Sequence, residues 1–171
     1  MSCGRRWVTA SEAETAALGA ALAGELAPDG VLLLSGDLGA GKTVLARGAA
    51  QGLGIDPREV QSPTFNLIRE HRGSGGRLVH VDLYRLEAGE AAALGLDELL
   101  AEPGVKVIEW AERLPFAVPG ALALELRRLA GEGREIAEVI NVAAGVGAGL
   151  APAREGSSPS PTETDSIRRD P

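Results

Sequence analysis

GDLGAGKT, residues 36–43, has the spacing Gly-x-x-x-x-Gly-Lys-Ser/Thr, with Gly36, Gly41, Lys42 and Thr43 at the four defining places. A loop with this pattern bends sharply and turns several backbone N–H groups toward one anion. Glycines permit the bend, and the positive end of a following helix adds to the attraction. Lys42 then reaches the β- and γ-phosphates of a nucleotide, and the Thr43 hydroxyl is placed to coordinate Mg²⁺. The flanks agree. DGVLLLS, 29–35, is an apolar run of strand length entered through Pro28-Asp29-Gly30, and KTVLARGAAQGL, 42–53, is rich in helix formers and followed by Gly54 as a C-terminal cap. A turn that only joined two elements would need neither the lysine nor this strand–loop–helix order. The chain has 17 basic residues, of which just Lys42 and Lys106 are lysines. A lysine kept in the loop against that bias suits a compact ammonium that fits between phosphates where a guanidinium does not. These residues predict a nucleotide-binding α/β domain.

Bulk properties narrow the class. The 171 residues suffice for one domain with a proper core, expected over 1–150. A net charge of −7 and the lack of any basic run longer than two residues weigh against unaided nucleic-acid binding. Lone Cys3 makes no internal disulfide, as suits a reducing compartment. MSCGRRWV lacks a signal-like apolar core and no apolar run approaches a membrane span, so a cytoplasmic chain without membrane attachment is expected.

Thr9-Ala10-Ser11-Glu12 has the form of a capping box with Thr9 as N-cap, opening a helix whose Leu18, Leu22 and Leu26 share one face. SPTFNLIREHR and RLVHVDLYRL around Gly73–Gly76 predict a hairpin, and ALALELRRL and REIAEVINV around 130–133 a second. Residues 88–101 predict a helix with Gly95 as a weak point, and VKVIEW, 105–110, a strand. The stretch 151–171 is dense in Ser, Pro and Thr without apolar periodicity, which predicts a disordered tail. GVGAGL at 145–150 fails as a dinucleotide fingerprint, since Leu150 holds the third glycine position.

A phosphate loop needs an acidic partner at a neighbouring strand end, to hold Mg²⁺ directly or through water. Asp82 ends LVHVD and Glu109 ends VKVIE, although carboxylates at strand ends are often no more than solvated. Neither Asn66 nor Asn141 precedes a lysine, so the guanine-reading signature is missing and ATP is favoured. Thr64, in Ser62-Pro63-Thr64, is a candidate sensor of the γ-phosphate; its bland alternative is a plain turn at an X-Pro bond. His71 and His80 lack metal-ligand spacing and are given structural roles, while Trp110 either packs in the core or lines the site.

Taken together, GDLGAGKTVLARG, SPTFNLI, HVDLYRL, LGLDELL and IEWAERL resemble the bacterial TsaE (YjeE) family, ATPases required for making threonylcarbamoyladenosine in tRNA. The resemblance spans about residues 7–142 and is most specific in SPTF, DLYRL and EW. It implies a P-loop NTPase-like three-layer α/β sandwich around a mixed, partly antiparallel sheet. It implies that Gly39, Ala40, Gly41, Lys42, Thr43 and Val44 cradle ATP, that Thr43 and Glu109 serve Mg²⁺, and that Thr15 and Arg134 lie near the nucleotide. It gives functional weight to Asp82 and Trp110 and a switch-like role to Thr64. The implied partners are TsaD and TsaB, with tRNA engaged through their complex. Val44 stands where a second threonine is common, and His71 where a tyrosine often follows.

The expected mechanism places Lys42 and the loop N–H groups against charge developing on the γ-phosphoryl group, with Asp82 or Glu109 orienting water. No arginine finger is identifiable within the chain, so slow hydrolysis without partners is expected. Two other classes compete: a P-loop small-molecule kinase, which would need an acceptor, and a nucleotide-sensing scaffold that turns nothing over.

Overall fold

The computed structural model describes residues 4–63 and 65–140; Thr64, GVGAGL and the expected tail 151–171 lie outside the described residues. Seven strands are seen: β1 (Arg6–Thr9), β2 (Val31–Ser35), β3 (Ile68–Gly73), β4 (Gly76–Asp82), β5 (Val105–Glu109), β6 (Leu122–Arg128) and β7 (Arg134–Glu138). They form one sheet in the order β1-β7-β6-β2-β5-β4-β3. The middle ladders, β6–β2, β2–β5 and β5–β4, are parallel. The outer ladders, β1–β7, β7–β6 and β4–β3, are antiparallel. This division follows from chain connections. Short turns close the two hairpins, whereas parallel neighbours need longer crossovers.

Alternation along the strands supplies two apolar faces. Leu32 and Leu34 of β2 join Leu22, Leu45, Ala46 and Ala49 in one core, under α1 (Glu12–Leu26) and α2 (Lys42–Gly52). Leu33 points the other way, into a second core with Val79, Val81, Ile108 and Leu96. Short helices α3 (Ala88–Ala91) and α4 (Leu96–Ala101) cover that side. The result is a three-layer α/β sandwich around a mixed, partly antiparallel sheet. Burying a leucine as completely as Leu34 contributes about 1.5–3 kcal/mol.

Several local expectations give way. The first helix is capped by Ser11, whose side chain accepts from Glu14 N–H, not by Thr9. Thr9 is instead the last residue of β1, a strand too short for its alternation to stand out in the sequence and held by pairing to β7. The expected helix 88–101 breaks at Gly95, whose φ of +63° ends one segment and starts α4. The strand expected over 105–110 stops at Glu109, because Trp110 takes φ +59° and turns the chain away. At the end of α2, Gly54 holds φ +70° and Ile55 N–H reaches Ala50 O at 3.0 Å, the six-to-one bond of a Schellman cap.

Helices α1 and α2 approach through glycine. A Cβ at Gly48 would lie 2.0 Å from Ala16 O, and one at Gly19 would lie 2.2 Å from Leu45 O. Both obstacles are backbone, so the helices themselves would have to part. Gly24, on the exposed side of α1, has nothing within 4 Å. Urea denaturation should therefore separate two chemically identical changes. Gly24→Ala should gain about 1 kcal/mol from helix propensity. Gly48→Ala should lose about 2 kcal/mol net, as overpacking outweighs that gain. Equal stabilisation by both would show that the interface is not closed by glycine.

Candidate functional site

The glycine loop leaves the carboxyl end of β2, at the centre of the sheet, and enters α2. Three of its residues hold left-handed backbone, Gly36 (φ +127°), Gly39 (φ +78°) and Gly41 (φ +105°). Gly41 is the N-cap of α2 and makes no side-chain capping bond, so the first N–H groups of the helix are left for an external acceptor. Gly39 through Val44 run through this turn. Ala40 is buried beneath the loop at 1% exposure, which anchors the turn to the α2 core.

Lys42 folds back over its own loop. Its Nζ donates to Gly36 O at 2.5 Å and to Asp37 O at 2.8 Å, and lies 3.9 Å from the centre of the Trp110 ring. Burial pushes the Lys42 ammonium below its ordinary value, and Glu109, Glu112, Asp82 and Asp37 oppose that shift. The left-handed turn at Trp110 is what brings the indole under the ammonium. Such a conformation is strained for a bulky residue and belongs with sites where geometry is over-determined. Tyr84 packs on the same ring, with centroids 4.9 Å apart.

Two carboxylates face this lysine from adjacent parallel strands, since Asp82 and Glu109 are register partners. Thr43 Oγ1 donates to Glu109 Oε2 at 2.9 Å. The other carboxylate oxygen, Oε1, lies 2.7 Å from His80 Nε2. Asp82 accepts from Tyr84 N–H at 2.9 Å on Oδ1 and from the Ser62 hydroxyl on Oδ2. Lys42, Thr43, Ser62, Asp82, Tyr84 and Glu109 thus line one cleft of about 270 Å³, roofed by Leu38 and Trp110. The donors that converge there are hydroxyl and carboxylate oxygens. That set suits Mg²⁺, which takes one or two protein oxygens and completes its shell with phosphate and water. Among the described residues no cluster of three or more His, Cys, Asp or Glu side chains forms a self-sufficient metal cage.

Thr15 and Arg134 sit on the other flank of the loop. Arg134 passes along Gly41, where a Cβ would lie 3.1 Å from its Nε. Its Nη1 is held by Glu132 O and Gly133 O. Thr15 is buried, and its hydroxyl is shared between Ser11 O at 3.0 Å and Thr9 Oγ1 at 2.8 Å. Since Thr9 pairs with Arg134 across β1 and β7, the three form one support beside the loop. They do not line the cleft that holds Lys42 and Glu109. Thr64 lies outside the described residues. Ser62, Tyr84 and His80 enter the site without having been singled out for it. A period-two reading of HVD, which puts His80 and Asp82 on one face, is the signal that could have found the histidine.

A loop of this geometry at the carboxyl edge of the parallel centre of a mixed sheet, backed by helices on both faces, defines a protein of P-loop NTPase-like fold. Residues 9–136 match the model of the family described as threonylcarbamoyl adenosine biosynthesis protein TsaE. The chain is 42% identical over 132 residues to a Bacillus subtilis tRNA threonylcarbamoyladenosine biosynthesis protein TsaE, covering 77% of this chain and 82% of that one. It is 40% identical over 133 residues to the Treponema pallidum protein of the same name, covering 77% and 97%. The crystal structure of Bacillus subtilis YdiB superposes with a TM-score of 0.62 at 36% identity, covering 81% of this chain and 86% of that one. The chain belongs to the TsaE family, and its family role lies in tRNA threonylcarbamoyladenosine biosynthesis. Among the described residues no helix is long and apolar enough to cross a membrane.

Beside the loop, Glu112 lines an apolar recess with Leu33, Leu114 and Phe116. Burial pushes its carboxyl above the ordinary 4.5, against its own backbone N–H and the pull of Lys42 and Arg113. A raised carboxyl favours the protonated form in the folded chain. Its stabilising contribution is complete below pH 4.5 and is lost as pH rises through the folded value. Glu112 is itself exposed, so water screens the effect, and Glu112→Gln should raise the melting temperature at pH 7 by about a degree at most. The gain should disappear in a melt below pH 4.5. A gain that persists at acid pH would assign the effect to packing.

Proposed function

We propose that the chain is a Mg²⁺-dependent ATPase of the cytoplasm that acts with TsaD and TsaB in forming threonylcarbamoyladenosine next to the anticodon of tRNA. One observation carries this reading: Thr43, at the start of an uncapped helix, faces Glu109 while Lys42 lies beside them. That is the arrangement a triphosphate with its metal needs.

The loop N–H groups from Gly39 to Val44 take the phosphate oxygens. Lys42 leaves Gly36 O, Asp37 O and the Trp110 ring to reach the β- and γ-phosphates, exchanging weak neutral partners for charged ones. Thr43 Oγ and Glu109 hold the Mg²⁺ side of the nucleotide. A bound Mg²⁺ would neutralise charge on the β- and γ-oxygens. Asp82, the register partner of Glu109 and fixed by Tyr84 N–H and Ser62, orients the attacking water. Arg134 adds positive charge at Gly41, and Thr15 supports it through Thr9. Thr64 senses the γ-phosphate. Among the described residues no arginine lines the cleft: Arg113 donates to Leu86 O and lies beside the Tyr84 and Trp110 rings, and Arg85 lies over Phe65. A partner completes the site, and hydrolysis resets the modifying complex. The acidic chain leaves tRNA to TsaD and TsaB.

Mg²⁺-dependent ATP hydrolysis by the purified chain, alone and with TsaD, TsaB and tRNA, tests this. A low basal rate should rise when the partners are added. Lys42→Ala should lower the stimulated rate on the order of a hundredfold or more, and Glu109→Gln and Asp82→Asn should each lower it on the order of a hundredfold. A rate indifferent to the partners and to both carboxylate changes, or one seen only with a small-molecule acceptor, would return the chain to the kinases. Nucleotide binding with no turnover under any condition would make it a sensing scaffold.

A further inference from the structure

His80 is fully buried, at 0% exposure, on β4. Its Nε2 lies 2.7 Å from Glu109 Oε1, and its Nδ1 is buried with no hydrogen-bond partner. Those two facts select the tautomer. A proton on Nδ1 would be a buried donor without an acceptor, whereas a proton on Nε2 points straight at a carboxylate. The imidazole therefore donates from Nε2. Glu109 then accepts from His80 on one oxygen and from Thr43 on the other, and its plane is set by two bonds from different elements of the fold.

We propose that His80 is the positioning residue for Glu109: it holds Oε1 so that Oε2 stays aimed at the metal side of the Thr43 cleft when nucleotide displaces the Thr43 hydroxyl from it. The inference rests on the reading that Thr43 and Glu109 serve Mg²⁺. Thr43 is the partner that must turn toward the nucleotide, so in the bound state His80 becomes the one fixed anchor for this buried carboxylate. Without it, Glu109 would be free to rotate away from the metal side of the cleft. Outer hydrogen-bond partners of this kind are worth about 10–100-fold in metal affinity or activity.

The test is a Mg²⁺ titration of binding of a fluorescent methylanthraniloyl-ATP to the full chain, in the unaltered protein, His80→Leu and His80→Gln. His80→Leu should raise the Mg²⁺ concentration for half-maximal effect about tenfold or more. Metal-free affinity for the analogue should stay within about twofold, because the loop amides hold the phosphates without Glu109 and the Glu109 charge remains in either variant. His80→Gln, whose amide nitrogen can reach the Nε2 position, should restore most of the response. An unchanged response in His80→Leu would overturn the proposal, as would an equal loss of metal-free binding in both variants, which would mark a packing role. If the unaltered chain binds the analogue without any response to Mg²⁺, the Thr43–Glu109 reading itself falls, a result distinct from a failure at His80 alone. Should His80→Leu not fold, long-range ¹H–¹⁵N spectra of the unaltered chain decide: the Nε2-protonated tautomer is expected, and the Nδ1-protonated one would overturn the assignment.

Discussion

Glu109 ends the central part of the sheet as a buried carboxylate, 2% exposed, and the surrounding architecture is what makes that burial tolerable. An isolated charge in such a place is costly; hydrogen bonds and a nearby cation offset much of that cost. Thr43 arrives from the first turn of α2 and His80 from β4, and Lys42 lies alongside. These groups meet because β5 runs parallel between β2 and β4, so that all three strands end at the same edge. A slip of one residue in β4 would turn His80 and Asp82 into the other face and strand Glu109 without its partners. The register of β4 against β5 is thus a requirement of both stability and the site.

The same edge concentrates other buried polar groups. Lys42, His80, Asp82 and Glu109 are each less than 5% exposed, and they are brought within one cleft and its wall. Ligands of open α/β sheets collect at the carboxyl ends of parallel strands, where loops diverge. Here the glycine loop adds an unfilled helix N-terminus to that position. In the state seen, lysine and threonine satisfy themselves on loop carbonyls, an indole face and a carboxylate. Each of these partners can be exchanged for phosphate oxygen, so the cleft stays polar and ordered while remaining ready for an anion.

Placement of α2 follows from its packing on α1. Gly19 and Gly48 let the two backbones come close enough that any side chain would strike a carbonyl. That contact fixes the direction of α2 and hence the position of Thr43 over β5. On the other side of the loop, Thr9, Thr15 and Arg134 tie β1, α1 and β7 together beside Gly41. Val44 keeps its backbone N–H in the first turn of α2, and His71 lies on β3 away from the cleft, its ring held below its ordinary pKa chiefly by burial.

Local signals in the sequence were strong wherever one short segment determines its own conformation. The Gly36–Thr43 spacing requires a loop that bends at glycine whatever surrounds it, and the two hairpins are announced by glycine turns between β-rich runs. The continuous apolar run of VLLLS marks a strand buried on both faces, and the alternation of VKVIE marks a second strand. Signals failed where the outcome is decided by a distant partner. β1 is a strand because β7 pairs with it, and the first helix starts at Ser11 because Thr9 belongs to that strand. His80 looked like any core histidine until the sheet placed it against Glu109, 29 residues further along the chain. The sequence by itself determined the loop and put forward the two acids that face it, since these depend on residue type and spacing along the chain. Only the tertiary structure decided which acid meets Thr43 and which side chain steadies it, because strand order and register are properties of contacts between segments far apart in the chain.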